Sequence, residues 1–377
     1  MSYIGRISYS LYLWHWPVFV LFRWTLGLSS YTCWLLALSL TFTLAVLSYH
    51  FIEVGVRSSR FLTVQPSWKI VIGGVLATYS AFFLVTQLFY ANHLRGISLS
   101  VTNDECLWRP YNIQCQQETK GNPINRSLFV IGDSHAGAYT LMANMAANRL
   151  GAKVYIHSFA GCPIAKLIDS NSHSPICLGY ESKILDWLDQ TAKPGDIIFL
   201  ASLRLHRLGD QWGAIDLDKV LVEANSKKQA EGAKQALAEV ESLVKQLKAR
   251  GLNVLMDAPK PIFKSPPFRC SDWFNNTNPV CAEGFSIERD LLQKFREPIM
   301  ASLHALHEAL GVFIWDPFPL LCRQATCFAF DENKPKFFDG DHLSGYGNRL
   351  LADSFTDRLS VIWEQGRMAG MKAPDSD

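Results

Sequence analysis

Apolar residues follow two regimes along this chain. Through residue 91 they form long, nearly unbroken runs, whereas beyond Asn92 they come in short runs separated by polar and charged stretches. Leu11–Leu28, Thr32–Phe51 and Ile70–Ala91 each have the length and apolarity that a helix needs to cross a bilayer core, so residues 1–91 are expected to form three transmembrane helices. The third run holds no charged residue. The first holds Arg23 and His15, together with Trp14, Trp16 and Trp24, whose rings suit the membrane–water boundary. Arg6 precedes the first run, and Arg57, Arg60 and Lys69 separate the second from the third, while Ser29–Tyr31 carries no basic residue. Positive charge retained inside, followed by an odd number of crossings, places everything after Asn92 outside.

The exported part begins with residues 92–125, which lack periodicity and are expected to be a linker. Leu128–Ile131, Lys153–His157, Asp196–Ala201, Asn253–Asp257 and Val312–Trp315 are then short apolar runs bounded by Gly, Asp or Pro, the pattern of parallel strands buried on both faces. Between them Gln229–Arg250 places Ala233, Ala236, Leu237, Val240, Leu243, Val244 and Leu247 at helical spacing, with Gly251 suited to end the helix. Strands alternating with helices predict an α/β domain over residues 126–365, built as a three-layer, doubly wound parallel sheet of flavodoxin-like type. Its site is expected at the carboxyl ends of the strands. Residues 366–377 are expected to be a disordered tail.

Charge and cysteine usage narrow the partners and the compartment. A formal net charge of +2 with no basic stripe argues against nucleic acid as a partner. Of nine cysteines, Cys33 lies in the second apolar run, and Cys106, Cys115, Cys162, Cys177, Cys270, Cys281, Cys322 and Cys327 all follow Asn92. An even set confined to the exported part fits disulfides in an oxidising compartment. Pairing of neighbours (106–115, 162–177, 270–281, 322–327) would staple one short loop each. No CxxC or HxxxH spacing supports zinc, so no metal is expected. The first apolar run is followed by no small-residue cleavage site and by further spans, unlike a cleavable signal peptide.

Two clusters carry candidate chemistry. The run Leu128–Ile131 leads directly into Gly132-Asp133-Ser134-His135-Ala136-Gly137, with Ala138, Leu141, Met142 and Met145 at helical spacing behind it. Ser134 therefore falls at a strand-to-helix turn, where free helix N–H groups can face an oxyanion. Ala136 replaces the last glycine of a GxSxG elbow, and a serine in such a turn can also be a plain helix cap. Near the C-terminus, Phe338-Asp339-Gly340-Asp341-His342-Leu343-Ser344 precedes a helix expected over Tyr346–Trp363. A serine nucleophile needs an imidazole base and the imidazole needs a carboxylate, and His342 with Asp339 supplies both from one loop. Asp341 is a rival carboxylate, disfavoured because adjacent side chains generally diverge.

The strand followed by GDSHAG and the late DGDHLS resemble the first and last blocks of the SGNH (GDSL-type) hydrolase superfamily. The string Ile7-Ser8-Tyr9-Ser10-Leu11-Tyr12-Leu13-Trp14-His15-Trp16-Pro17 is similar to late helices of the acyltransferase-3 membrane proteins, to which SGNH domains are fused. The resemblance implies Ser134 as nucleophile, His342 as general base and Asp339 as its orienting partner. It also implies an oxyanion hole made by the N–H groups of Ser134 and Gly161. The superfamily's third block has an asparagine that Leu200–His206 lacks, leaving Ser202, Arg204 or His206 as substitute donors. A complete acyltransferase-3 domain has more spans and catalytic motifs of its own, so the resemblance suggests a truncated or split membrane domain, with His15 structural. The implied activity is O-acetylation of a cell-envelope glycan, such as lipopolysaccharide O-antigen or peptidoglycan. Acetyl-CoA is the implied ultimate donor, with no cofactor bound by this chain. The implied partners are the glycan acceptor, membrane lipid and the missing part of the membrane domain. The implied setting is the bacterial inner membrane, with the C-terminal domain in the periplasm or outside the cell. A carbohydrate O-acetyl esterase and a non-catalytic, membrane-anchored glycan-binding remnant are the alternatives.

Overall fold

A computed structural model describes residues 3–59, 64–95, 105–111, 121–168, 174–209, 213, 215–224, 226–275 and 277–371. The chain divides into two compact units, one of Met1–Asn103 with Cys270–Ala282, the other of Asp104–Arg269 with Glu283–Asp377.

In the first unit, helix Tyr3–Thr25 is followed by a helix that starts at Tyr31 and runs through a π segment, Ser48–Glu53, to Arg57. Gly27, at φ +80°, sits in the turn between them, and the Ser30 hydroxyl accepts from Thr32 N at 3.2 Å to cap the second helix. Val18, Phe22 and Ala37 form their buried contact. A third helix spans Ser67–Arg95. Among the described residues two helices, Tyr31–Arg57 and Ser67–Leu88, are long and apolar enough to cross a membrane. The expectation of three is therefore met only in part, because Arg6, His15, Arg23 and several hydroxyls dilute the apolarity of helix Tyr3–Thr25. The loop stapled by Cys270–Cys281 belongs to this unit, and its Asn278 Nδ2 donates to the Arg23 carbonyl at 3.0 Å.

The second unit is built on five parallel strands, β1 (Ser127–Gly132), β2 (Lys153–Ser158), β3 (Ile197–Ala201), β4 (Asn253–Asp257) and β6 (Phe313–Trp315), in the spatial order 2-1-3-4-6. Between β4 and β6 in sequence lies β5 (Ser286–Glu288), which pairs antiparallel with β7 (Thr326–Phe328) away from the main sheet. Alternate residues of each central strand enter opposite cores. Leu128, Val130, Ile197 and Phe199 pack with Met142, Leu351 and Phe355, whereas Phe129, Ile131, Ile198 and Leu200 pack with Leu188, Val244 and Leu303. Both faces being covered is why these strands read as unbroken apolar runs. The parallel α/β sheet is as expected, with strand ends within a residue.

Helix Lys227–Ala249 is capped by Ser226, whose hydroxyl accepts from Gln229 N at 3.1 Å, and Gly251 follows at φ +74°. The last helix, Gly345–Met371, overruns the expected tail boundary at 366, since no proline interrupts it before Pro374. Part of the expected linker is also structured. Trp108, in helix Glu105–Trp108, is buried against Phe268 at 5.2 Å, and the Pro110 carbonyl accepts from Leu141 N at 2.9 Å. The Trp108 ring and the Pro110 carbonyl thus tie residues 105–111 to the α/β unit.

Cys162 is joined to Cys177, Cys270 to Cys281 and Cys322 to Cys327, while Cys33 is free. Cys106 is disulfide-bonded as well, and Cys115 lies outside the described residues. Alkylation of the oxidised, unfolded chain followed by mass spectrometry should therefore find one reactive thiol. Five or more would overturn both the disulfide set and the exported placement of the domain.

Candidate active site

The strand order reverses at β1, whose neighbours β2 and β3 lead off to opposite sides, and open α/β sheets bind ligands at the carboxyl end of such a switch point. β1 ends there on Gly132. A Cβ at that position would lie 1.7 Å from the Ala201 carbonyl oxygen, so only glycine lets β3 approach. Asp133 caps the following helix, Ser134–Ala138, with Oδ1 accepting from His135 N at 2.9 Å and Oδ2 from Leu203 N at 3.3 Å. The capping duty falls to Asp133, leaving the Ser134 hydroxyl for another partner.

That partner is His342, whose Nε2 is 2.8 Å from Ser134 Oγ. His342 arrives from a loop closed by Phe338 N donating to the His342 carbonyl at 2.8 Å, and Asp339 Oδ1 accepts from His342 N at 2.7 Å. Gly340 passes so close to the Phe263 carbonyl that a Cβ there would come within 2.4 Å of its oxygen. On the far side of the ring, Nδ1 is 2.8 Å from Asp339 Oδ2. A proton on Nδ1 leaves Nε2 free to accept from Ser134, the tautomer a general base requires. The same Nδ1 is also 2.9 Å from Asp341 Oδ1. The tight turn thus brings both carboxylates to one nitrogen, correcting the expectation that Asp341 diverges.

Burial disfavours a charged His342 ring, but the hydrogen bonds and charges of Asp339 and Asp341 outweigh it and raise its pKa to about 9. Burial acts to raise Asp339 too, yet its bonds from His342 and from two backbone N–H groups hold it well below the ordinary carboxylate range.

Other side chains crowd the same place. His135 is fully buried and stacks on His342, with ring centroids 4.2 Å apart and planes 8° from parallel. Its Nδ1 is 2.9 Å from Lys260 Nζ, and its Nε2 is 3.9 Å from Asp341 Oδ2, which in turn lies 2.6 Å from Arg207 Nε. His135 stands inside the recognisable motif, but Lys260 and Arg207 follow β4 and β3 with no sequence signal of their own. Ligand atoms of His135, Asp341 and His342 lie within 4.8 Å of one another, a spacing that suits a cation. Both His342 nitrogens are engaged, however, and Lys260 and Arg207 already bring positive charge there, so no metal is assigned.

The remaining site expectations fare differently. Gly161 takes φ +78° in a turn closed by Cys162 N donating to the Phe159 carbonyl at 3.0 Å, and the space where its Cβ would stand is open. Ser202 and Arg204 are corrected as oxyanion donors. The Ser202 hydroxyl donates to the Ile164 carbonyl at 2.9 Å, and buried Arg204 donates through Nε to the Asp257 carbonyl at 2.8 Å and through a terminal nitrogen to the Ala165 carbonyl. Both brace the scaffold because burial obliges their donors to find carbonyls. His206 lines a separate cavity of about 270 Å³ with Leu205, Phe295 and Ile299.

Comparison with known proteins adds context to this geometry. The family described as SGNH domain (fused to AT3 domains) matches residues 101–357. Peptidoglycan O-acetyltransferase OatA of Listeria monocytogenes is 34% identical over 71 residues, 18% of this chain and 11% of that protein. A Bacillus subtilis protein provisionally named peptidoglycan O-acetyltransferase YrhL is 31% identical over 109 residues, 26% of this chain and 17% of its own length. Among solved structures, the periplasmic domain of a Salmonella ser. Paratyphi A lipopolysaccharide acetyltransferase is similar with 14% identity and a TM-score of 0.39, over 63% of this chain and 85% of that one.

Proposed function

The chain belongs to the family of SGNH domains fused to AT3 domains, and on that premise we propose that it is a membrane-anchored O-acyltransferase that places acetyl groups on a cell-envelope glycan. The observation that carries this reading is the unbroken chain from Ser134 Oγ through His342 to Asp339, with both links at 2.8 Å. The names of the two curated relatives support the acetyl group and the glycan acceptor. Helix Tyr3–Thr25 is read as a third crossing, which puts the α/β unit outside, on the side of the membrane opposite to acetyl-CoA, the ultimate donor.

In this mechanism Ser134 Oγ attacks the carbonyl carbon of the donor ester while its proton passes to His342 Nε2. The oxygen that gains charge is held by the N–H groups of Ser134 and Gly161. Collapse breaks the bond to the leaving group, which takes the proton from His342. A sugar hydroxyl then gives its proton to His342 and attacks the acyl-serine, and Ser134 is released with its proton restored. Water in place of the sugar gives hydrolysis by the same steps, so the glycan's occupancy of the site separates transferase from esterase.

A fluorophosphonate probe should label the full chain in detergent at Ser134, an outcome an inert glycan-binding fold would not give. Product analysis with an activated acetyl ester, with and without glycan, should show acetylated sugar only when the glycan is present. Acetate alone in both cases would favour the esterase.

The pH dependence follows from the base. His342 accepts a proton only when neutral, and its pKa of about 9 means that the competent fraction falls about tenfold for each pH unit below that value. Ester kcat/KM should therefore climb from about pH 6 and level near pH 9. A flat profile over that range would contradict the assignment of His342 as base.

A further inference from the structure

Lys260 is a buried cation that the acyl-transfer steps do not use. Its Nζ lies 2.9 Å from His135 Nδ1 and 5.5 Å above the centroid of the Tyr139 ring. Burial lowers its pKa on balance, and the carboxylates of Asp257, Asp341, Asp133 and Asp339 oppose that by stabilising an ammonium. An ammonium has no lone pair, so in this contact Lys260 donates and His135 Nδ1 accepts. A neutral imidazole that accepts at Nδ1 carries its hydrogen on Nε2.

His135 is held neutral by its surroundings. Burial pushes its pKa far down, and Lys260, His342, Arg207 and Arg204 add to the effect. Its Nε2 has no hydrogen-bond partner among the described residues, and the group it faces, at 3.9 Å, is Asp341 Oδ2. A buried donor aimed at a carboxylate oxygen calls for a reason. Asp341 in turn reaches His342 Nδ1 at 2.9 Å, and the His135 ring lies flat against the His342 ring.

We propose that Lys260 and His135 are positioning residues of the acyl-transfer site: Lys260 sets the His135 tautomer, and His135, through its stacked ring and Asp341, sets the seat of His342. The inference rests on the reading of His342 as the base. Its chemical value lies in the charge that His342 acquires when it takes the Ser134 proton. A neutral ring stacked on the new imidazolium is tolerated, whereas a second imidazolium at 4.2 Å would repel it. Lys260 disfavours that second protonation. The groups that act on this pair of rings are Lys260, Arg207, Arg204, Asp133, Asp339 and Asp341.

The test compares Lys260→Met, His135→Leu and His135→Gln in the full chain in detergent, assayed on an activated acetyl ester. A glutamine at 135 has a carbonyl to accept from Lys260 and an amide to donate to Asp341, and leucine has neither. Lys260→Met and His135→Leu should lower kcat/KM about 10- to 100-fold, the scale on which slight misplacement of a reacting group is felt. His135→Gln should stay within about fivefold of wild type. Removing the Lys260 cation should also move the rising limb of the pH profile upward by about 0.5 unit or more, because with one positive charge fewer beside the rings His342 holds its proton more readily. Lys260→Met within twofold of wild type and with an unmoved limb would overturn the proposal, as would His135→Gln no better than His135→Leu. The glutamine–leucine comparison decides the matter if Lys260→Met does not fold. Fluorophosphonate labelling of wild-type Ser134 is measured first. Its failure would count against the acyltransferase reading, whereas successful labelling with indifferent variants would count only against the Lys260–His135 pair.

Discussion

Ser134→Ala is expected to lower turnover of an activated acetyl ester by at least about a thousandfold, with His342→Ala equally severe and the double variant little worse. The reason is geometric. Ser134 Oγ and His342 Nε2 share one hydrogen bond of 2.8 Å, so removing either end leaves the other without a role, and the losses do not add. Residual turnover would come from binding and the oxyanion donors. Neither substitution should unfold the protein, because the helix at Ser134 is capped by Asp133 and the His342 loop is closed by backbone bonds and by Asp339. Initial rates on the full chain, with folding followed by circular dichroism, test this. Undiminished turnover in a folded Ser134→Ala protein would end the nucleophile assignment.

The second large effect belongs to the carboxylates. In a triad with one carboxylate, its replacement by the amide costs about 10⁴-fold, because the imidazole then adopts the wrong tautomer. Here His342 Nδ1 has two acceptors, Asp339 Oδ2 at 2.8 Å and Asp341 Oδ1 at 2.9 Å. Asp339→Asn alone should therefore cost only about 10- to 100-fold, because Asp341 still accepts the Nδ1 proton. Asp341→Asn should cost somewhat less, since Asp339 also organises the loop by accepting from the backbone N–H groups of Asp341 and His342. The double variant should approach the full loss of about 10⁴. Kinetics on the four proteins form a double-mutant cycle that reads the coupling directly. An Asp339→Asn variant as damaged as the double, beside an indifferent Asp341→Asn, would make Asp341 a bystander at Nδ1.

The parallel sheet and the two ends of the site were legible in the amino-acid sequence for local reasons. Strands covered on both faces must be apolar at every position, as Leu128–Ile131 and Ile197–Ala201 are, so their runs stand out without alternation. Ser134 follows β1 directly, and Asp339 and His342 share one loop, so sequence neighbours alone carry the proposed nucleophile and the proposed base with its partner. Three dimensions decided the rest. Lys260 and Arg207 meet His135 and Asp341 only because β1, β3 and β4 lie side by side and open their carboxyl ends on one crevice. The same closeness turned Ser202 and Arg204 toward the carbonyls of Ile164, Ala165 and Asp257, a direction no periodicity encodes in an irregular loop. Asp341 joined Asp339 at Nδ1 because the turn through Gly340 is tighter than the usual divergence of adjacent side chains allows for. Chemistry carried by neighbours in sequence can be read from the chain, whereas chemistry carried by charges from separate loops waits on the packing that brings them together.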